Sequence, residues 1–89
     1  MTYDVSLTRK AKKQLKDLDS VVQKRIVISL QRIRIRPEAH VKKLVGFKYF
    51  SLKVGKYRVV LDIKHGKMII LVIMIAHRKH VYGQLKKKY

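Results

Sequence analysis

The chain has 89 residues, which fits one domain over 1–89, and 47% of them are hydrophobic, enough for a core and too many for a disordered chain. There is no cysteine, so a disulfide framework and a thiolate metal site are excluded. Lys and Arg total 23 against 5 Asp and Glu, giving +18 at pH 7, and self-repulsion of that size points to a polyanionic partner: RNA, DNA, an acidic membrane surface or an acidic protein.

Met1 to Leu7 is short and mixed, unlike a secretory leader, and the longest apolar run, Met68 to Ala76, is about half of what a membrane helix needs. A soluble, cytoplasmic protein is expected, with the membrane as its least favoured partner. Tyr3, Val5 and Leu7 alternate with polar residues at the period of a half-buried strand. Thr8 can cap a helix with Ala11, Leu15 and Leu18 on one stripe, and Asp17 to Ser20 interrupts it. Ser20-Val21-Val22-Gln23 has the form of a capping box and opens a second helix, whose stripe is Val22, Ile26, Leu30 and Ile33. Arg36-Pro37 closes it, because the residue before proline avoids the helical region.

From Leu44 onward the period becomes two. Phe50, Leu52 and Val54 alternate with Ser51 and Lys53; Gly55-Lys56 is a two-residue turn; Tyr57, Val59, Leu61 and Ile63 continue on the next strand. His65-Gly66 marks a second tight turn before a strand from Lys67 to Ala76. The expected fold is α+β: an N-terminal strand, an antiparallel two-helix hairpin, then an antiparallel sheet meander packed on the helices.

A two-residue loop at Gly55-Lys56 sets Val54 opposite Tyr57 and Lys53 opposite Arg58. Like charges directly across a sheet are destabilising, so an anion is expected there. The second basic stretch is His77-Arg78-Lys79-His80-Val81-Tyr82, at the end of the most hydrophobic strand. His77 and His80 lack the third ligand a zinc site needs, and His40 and His65 fall in loops, so no metal is expected. Asp4, Asp17, Asp19, Glu38 and Asp62 are scattered, which argues against two-metal nuclease chemistry, and Asp62 is expected to pair with Lys53, Lys64 or another neighbour. Isolated glycines make no phosphate loop, and no cofactor is implied.

RNA cleavage is feasible with these groups. A base removes the 2′-hydroxyl proton, cations stabilise the phosphorane, and an acid protonates the leaving 5′-oxygen. Arginine binds phosphate bidentately, and a lysine among other cations can have its pKa lowered. Tyr82 or a histidine can carry the other proton.

These residues resemble the RelE/ParE toxin superfamily, and its RNA-cleaving RelE branch in particular. The resemblance runs through the initial strand, the hairpin with Ala11, Leu15, Lys16, Leu18 and Asp19, and Lys43-Leu44-Val45-Gly46. It sharpens at Leu52-Lys53-Val54-Gly55-Lys56-Tyr57-Arg58-Val59-Val60 and at the stretch from His77 to Tyr82. It implies a toxin that cuts mRNA in the ribosomal decoding site and is neutralised by an acidic antitoxin wrapped around it. Carried over by position, Lys53 is the base or phosphate anchor, Arg58 and Arg78 stabilise the transition state, and Tyr82 orients or protonates near the scissile phosphate. His77 and His80 are secondary candidates for proton transfer, and Lys56, Lys79 and Lys86 for RNA binding. The best-known members carry a lysine where Ser51 stands, and an acidic residue is common at the position of His80. The alternatives are a non-catalytic ParE-like gyrase inhibitor and a plain RNA-binding module.

Two geometric expectations remain. Simple alternation from the His65-Gly66 turn puts Arg78 opposite the Arg58 face, so a bulge or the strand end must reset the parity. It also puts Ile69, Leu71, Ile73 and Ile75 on the Arg58 face, away from the helices. That stripe needs a cover. The tail from Gly83 to Tyr89 is short, so an antitoxin helix or strand is the expected cover, and the tail or the sheet's own curvature the alternative.

Overall fold

The computed structural model describes residues 2–88; Met1 and Tyr89, which belong to the expected domain and tail, lie outside the described residues. Strand β1 (Asp4–Leu7) runs into Thr8, whose hydroxyl accepts a hydrogen bond from the Ala11 amide at 3.1 Å and opens helix α1 (Arg9–Lys16). Helix α2 (Ser20–Arg32) follows after a short break. The capping box does not form: Asp19 is the N-cap and makes no side-chain cap bond. The Gln23 amide instead donates to the carbonyls of Lys16 (3.0 Å) and Leu18 (2.7 Å). The break is so short that these orphan carbonyls at the end of α1 lie within its reach. Helix α2 stops four residues short of Arg36, and a 3-10 turn at Pro37–Ala39 leads to the rest of the sheet.

The meander is β2 (Lys42–Lys43), β3 (Phe50–Val54), β4 (Tyr57–Lys64) and β5 (Ile69–His77). These four pair antiparallel in sequence, while β1 lies parallel to β5, giving the order β1-β5-β4-β3-β2. The β3–β4 turn is as expected, with Gly55 first at φ 58 and Lys53 opposite Arg58. The next turn is looser: Lys64 pairs with Ile69 across a four-residue loop, and the positive φ falls on Met68 rather than Gly66.

One bulge decides which way β5 faces. Val60 pairs with Met74 and Leu61 with Val72, so Ile73 has no partner on β4. Ile69, Leu71 and Ile73 therefore share the Arg58 face as expected, but Ile75 turns to the helical side, opposite Val59. Strand β1 ends opposite Val72, and helix α1 takes over the open edge beyond it. The Thr8 hydroxyl donates to the Ile73 carbonyl at 3.0 Å, and the Gln14 carbonyl oxygen accepts from the Ile75 amide at 2.8 Å.

The core has two parts, one on each face. Leu52, Val54, Val59, Leu61, Ile63, Ile70, Val72 and Ile75 pack on Ala11, Ile26, Leu30 and Ile33 of the hairpin region. On the other face, Val60, Ile73, Met74 and Ala76 pack on Leu44 and on Val81 and Leu85 of a third helix, α3 (Val81–Lys88). The chain's own tail thus covers Ile73 of the expected stripe, while Leu71 and Ile69 stay half-buried. The signal for α3 was faint, since only Val81 and Leu85 mark its buried stripe, with Gly83 between them. Among the described residues no helix is long and apolar enough to cross a membrane.

Candidate functional site

Where α3 stops covering the second face, the sheet opens into a cleft of about 480 Å³. Lys53, Arg58, Arg78 and Tyr82 all line it, with Lys42, Ser51 and His40 along one side. Each reaches it by a distinct route. Lys53 and Arg58 face each other across the β3–β4 hairpin. Arg58 pairs on its other side with Ala76, so the residue two further on, Arg78, returns to the same face. The bulge at Ile73 supplies the parity change that simple alternation lacked. The Arg78 amide then donates to the Lys56 carbonyl at 2.8 Å, which fixes its backbone just beyond β5. Tyr82 sits in the first turn of α3 beside the buried Val81, with its ring 6.2 Å from that of Phe47.

Arg58 is half-buried and held in place: its Nη1 donates to the carbonyls of Gly55 and Tyr57, both at 3.0 Å. A guanidinium has donors on three nitrogens, so this anchoring leaves Nε and Nη2 to meet an anion. Among the described residues no carboxylate lines the cleft. Asp62 bonds to Lys64 at 3.3 Å, as its sequence neighbourhood suggested, and not to Lys53. The result is a group of like charges without a counter-ion among the described residues, on a rigid sheet, shaped to take an anion.

The remaining candidates are placed elsewhere. His77 pairs with Tyr57, which puts it on the sheet face opposite Arg58, and its ring meets that of Tyr57 edge-on at 5.8 Å. The His80 ring is 6.0 Å from His77. Partial burial first, then the charges of Lys79, His80, Arg78 and Lys56, hold His77 below its ordinary value. Neither histidine lines the cleft, and neither do Lys56, Lys79 and Lys86, although Lys56 borders an adjoining hollow. His40 and Lys42 line the cleft instead. Lys42 is placed there by a two-residue strand, β2, in which it stands opposite Ser51, and His40 follows the 3-10 turn just before it. Among the described residues no three His, Cys, Asp or Glu side chains gather in a way that could hold a metal ion. The ammonium and guanidinium groups of the cleft suit an anion, not a divalent cation.

Residues 5–82 match the family model of the ParE toxin of type II toxin–antitoxin systems, parDE. The chain belongs to this toxin family. All four cleft residues fall inside the matched stretch. A free-state mutant of the Escherichia coli toxin RelE is 25% identical, with a TM-score of 0.80 and full coverage of both chains at 100%. The same toxin in complex with an antitoxin RelBc peptide is 26% identical, with a TM-score of 0.75, covering 100% of this chain and 99% of the other. The toxin–antitoxin complex RelBE2 of Mycobacterium tuberculosis shares the fold at 22% identity, with a TM-score of 0.80 and coverage of 88% and 100%. A search of curated proteins found no match. By family and fold this ParE-family chain is the toxin of a toxin–antitoxin system, of the RelE/ParE type.

Proposed function

We propose that this toxin is a cytoplasmic, ribosome-dependent endoribonuclease that cuts mRNA without a metal. The observation that carries this reading is the convergence of Lys53, Arg58, Arg78 and Tyr82 on one cleft that no carboxylate among the described residues lines. The RNA 2′-oxygen attacks the adjacent phosphorus as its proton leaves to a base, Lys53 being the candidate. Arg58 and Arg78 meet the charge that builds on the phosphorane oxygens, and Arg58 does so from a position already fixed by two carbonyls. The bond from phosphorus to the 5′-oxygen breaks, and Tyr82 protonates the leaving oxygen. The products are a 2′,3′-cyclic phosphate and a free 5′-hydroxyl. The resemblance to RelE toxins supports a need for ribosomal groups to position the strand, and naked RNA is expected to be cut poorly.

Its partner is an acidic antitoxin. A charge of +18 supports this, as do solved relatives captured with RelB antitoxins. A second reading, favoured by the ParE description of the matching family model, is non-catalytic inhibition of DNA gyrase. A translation-coupled assay separates the two. Ribosome-bound mRNA is cut by the parent protein and stays intact with Arg58→Ala or Arg78→Ala, while ribosome binding persists. Intact mRNA beside blocked gyrase would decide for the second reading. RNA binding that depends on charge but on no single residue would leave a plain binding module.

A further inference from the structure

Behind the β3–β4 turn lies a second hollow of about 480 Å³, between that turn and helix α2. Lys53 and Arg78 line both hollows, so the two are joined at these cations. Arg25, Lys56 and Tyr57 line only the second. Its geometry depends on Gly55. A Cβ there would stand 3.3 Å from Nη1 of Arg25, so the bare glycine leaves the Arg25 guanidinium room over the turn. Among the described residues no carboxylate lines this hollow either.

What distinguishes it from a merely basic surface is a ledge of rings that begins with Tyr57 in its lining and runs on outside it through His77 and His80. Tyr57 meets His77 at 5.8 Å and 78°, and His77 meets His80 at 6.0 Å and 56°. Tyr57 and His77 are half-buried, while His80, Arg25, Lys56 and Lys79 are exposed around them. Because its surroundings hold His77 below the ordinary histidine value of 6.5, its ring is neutral at physiological pH. An acidic peptide would need the cations alone. Rings flanked by cations are what single-stranded nucleic acid uses, bases stacking on the faces and phosphates meeting the charges.

We propose that this hollow is a second subsite for single-stranded RNA, in which Arg25 and Lys56 hold the phosphate of a nucleotide flanking the cut and Tyr57 stacks its base, with His77 and His80 extending the ledge beyond the hollow. The strand passes from the cleft over Lys53 and Arg78, around the turn and towards α2. This rests on the reading of the cleft as an RNA site.

The test uses two 2′-O-methyl oligonucleotides, which cannot be cut: a trinucleotide that fills the cleft, and a strand of about eight nucleotides that reaches both hollows. Affinities are read by fluorescence anisotropy. The long strand binds the parent protein more tightly, and Arg25→Gln with Lys56→Gln, or Tyr57→Leu, removes about tenfold from it while the trinucleotide is unaffected. Tyr57→Phe keeps the ring and binds as the parent does. His80→Ala, at an exposed position, weakens only the long strand, which covers the case in which Tyr57→Leu fails to fold. Equal affinity for the two lengths, or equal losses on both, would overturn the subsite and leave the cleft reading standing. So would an acidic peptide that competes for the ledge with the same sensitivity to Tyr57→Leu. A trinucleotide indifferent to Lys53→Ala and Arg58→Ala would remove the cleft reading, and the subsite with it.

Discussion

The two faces of the sheet draw on the same three strands, β3 to β5, yet end in opposite chemistry. On the hairpin side, Leu52, Val54, Val59, Leu61, Ile63, Ile70, Val72 and Ile75 form an unbroken apolar layer under α1 and α2. On the other side the layer is apolar only at Val60, Ile73, Met74 and Ala76, beneath Val81 and Leu85, and then gives way to Ser51, Lys53, Arg58 and Arg78. The sealed face holds the strands in register. The open face can therefore carry like charges side by side, an arrangement that would loosen a sheet with no other support. Stability and chemistry are assigned to opposite sides of one layer, and the bulge at Ile73 apportions β5 between them.

The largest test of that division is a cavity on the sealed face. Leu61 is fully buried, so Leu61→Ala is expected to cost about 2–5 kcal/mol. For a domain whose total stability is about 5–15 kcal/mol, this should shift a urea midpoint severely. Arg58→Ala should leave the same midpoint nearly unchanged. A comparable loss from both would show that the open face also supports the fold, and the division would be wrong.

Next in size is the effect of the open face on activity. Loss of a preorganised cation facing the phosphorane should lower cleavage of ribosome-bound mRNA by about 10²–10³-fold, read by primer extension. Arg58→Ala should show this in full, because its carbonyl anchors hold it in place before substrate arrives. Arg58→Lys should rescue little, since an ammonium has no planar fork to offer phosphate. A fully active Arg58→Ala protein would remove it from the proposed chemistry.

The two faces also differed in how much of them the sequence disclosed. The Gly55-Lys56 loop fixes the β3–β4 register by itself, and so Lys53 opposite Arg58 was readable without coordinates. Strand β5 was not readable in the same way. From Ile69 to Ala76 every residue is apolar, because both faces are covered, and a run without alternation carries no record of which side a residue takes. The shift at Ile73 was thus invisible, although Arg78 depends on it. His77 was grouped with Arg78 by adjacency in the chain, yet adjacent residues on a strand point to opposite faces, and His77 follows Tyr57. Lys42 escaped notice because a strand of two residues has no period to detect, and His40, read as a loop histidine, has no register that would bring it to the cleft.

A smaller effect sharpens the comparison from the other direction. Lys53→Glu would replace a repulsive cross-strand pair with an attractive one opposite Arg58, and should raise stability by about 0.2–1 kcal/mol. The same change should abolish RNA cleavage, by removing one cation and occupying another. A gain in thermal midpoint with a loss of function would show that the open face gives up stability for charge. A loss of both would mean that Lys53 makes structural contacts that its exposed position does not suggest.

The smallest effect expected is at His77, which lies between the two regions, on the hairpin face but ringed by the cations of the open one. Partial burial and then Lys79, His80, Arg78 and Lys56 lower its pKa from 6.5 in the folded protein. Above that value the ring is neutral in both folded and unfolded chains, and the fold loses nothing. As the pH falls below 6.5 the unfolded chain takes up the proton first, so unfolding gains and stability declines until the folded ring also protonates. His77→Gln removes the titration, so the decline in thermal midpoint below 6.5 should be shallower than in the parent. The difference between the two proteins isolates this ring from His40, His65 and His80, which both retain. An equal decline would mean that burial and the cations around it do not act on the ring, and a steeper decline in the variant that the fold favours the imidazolium.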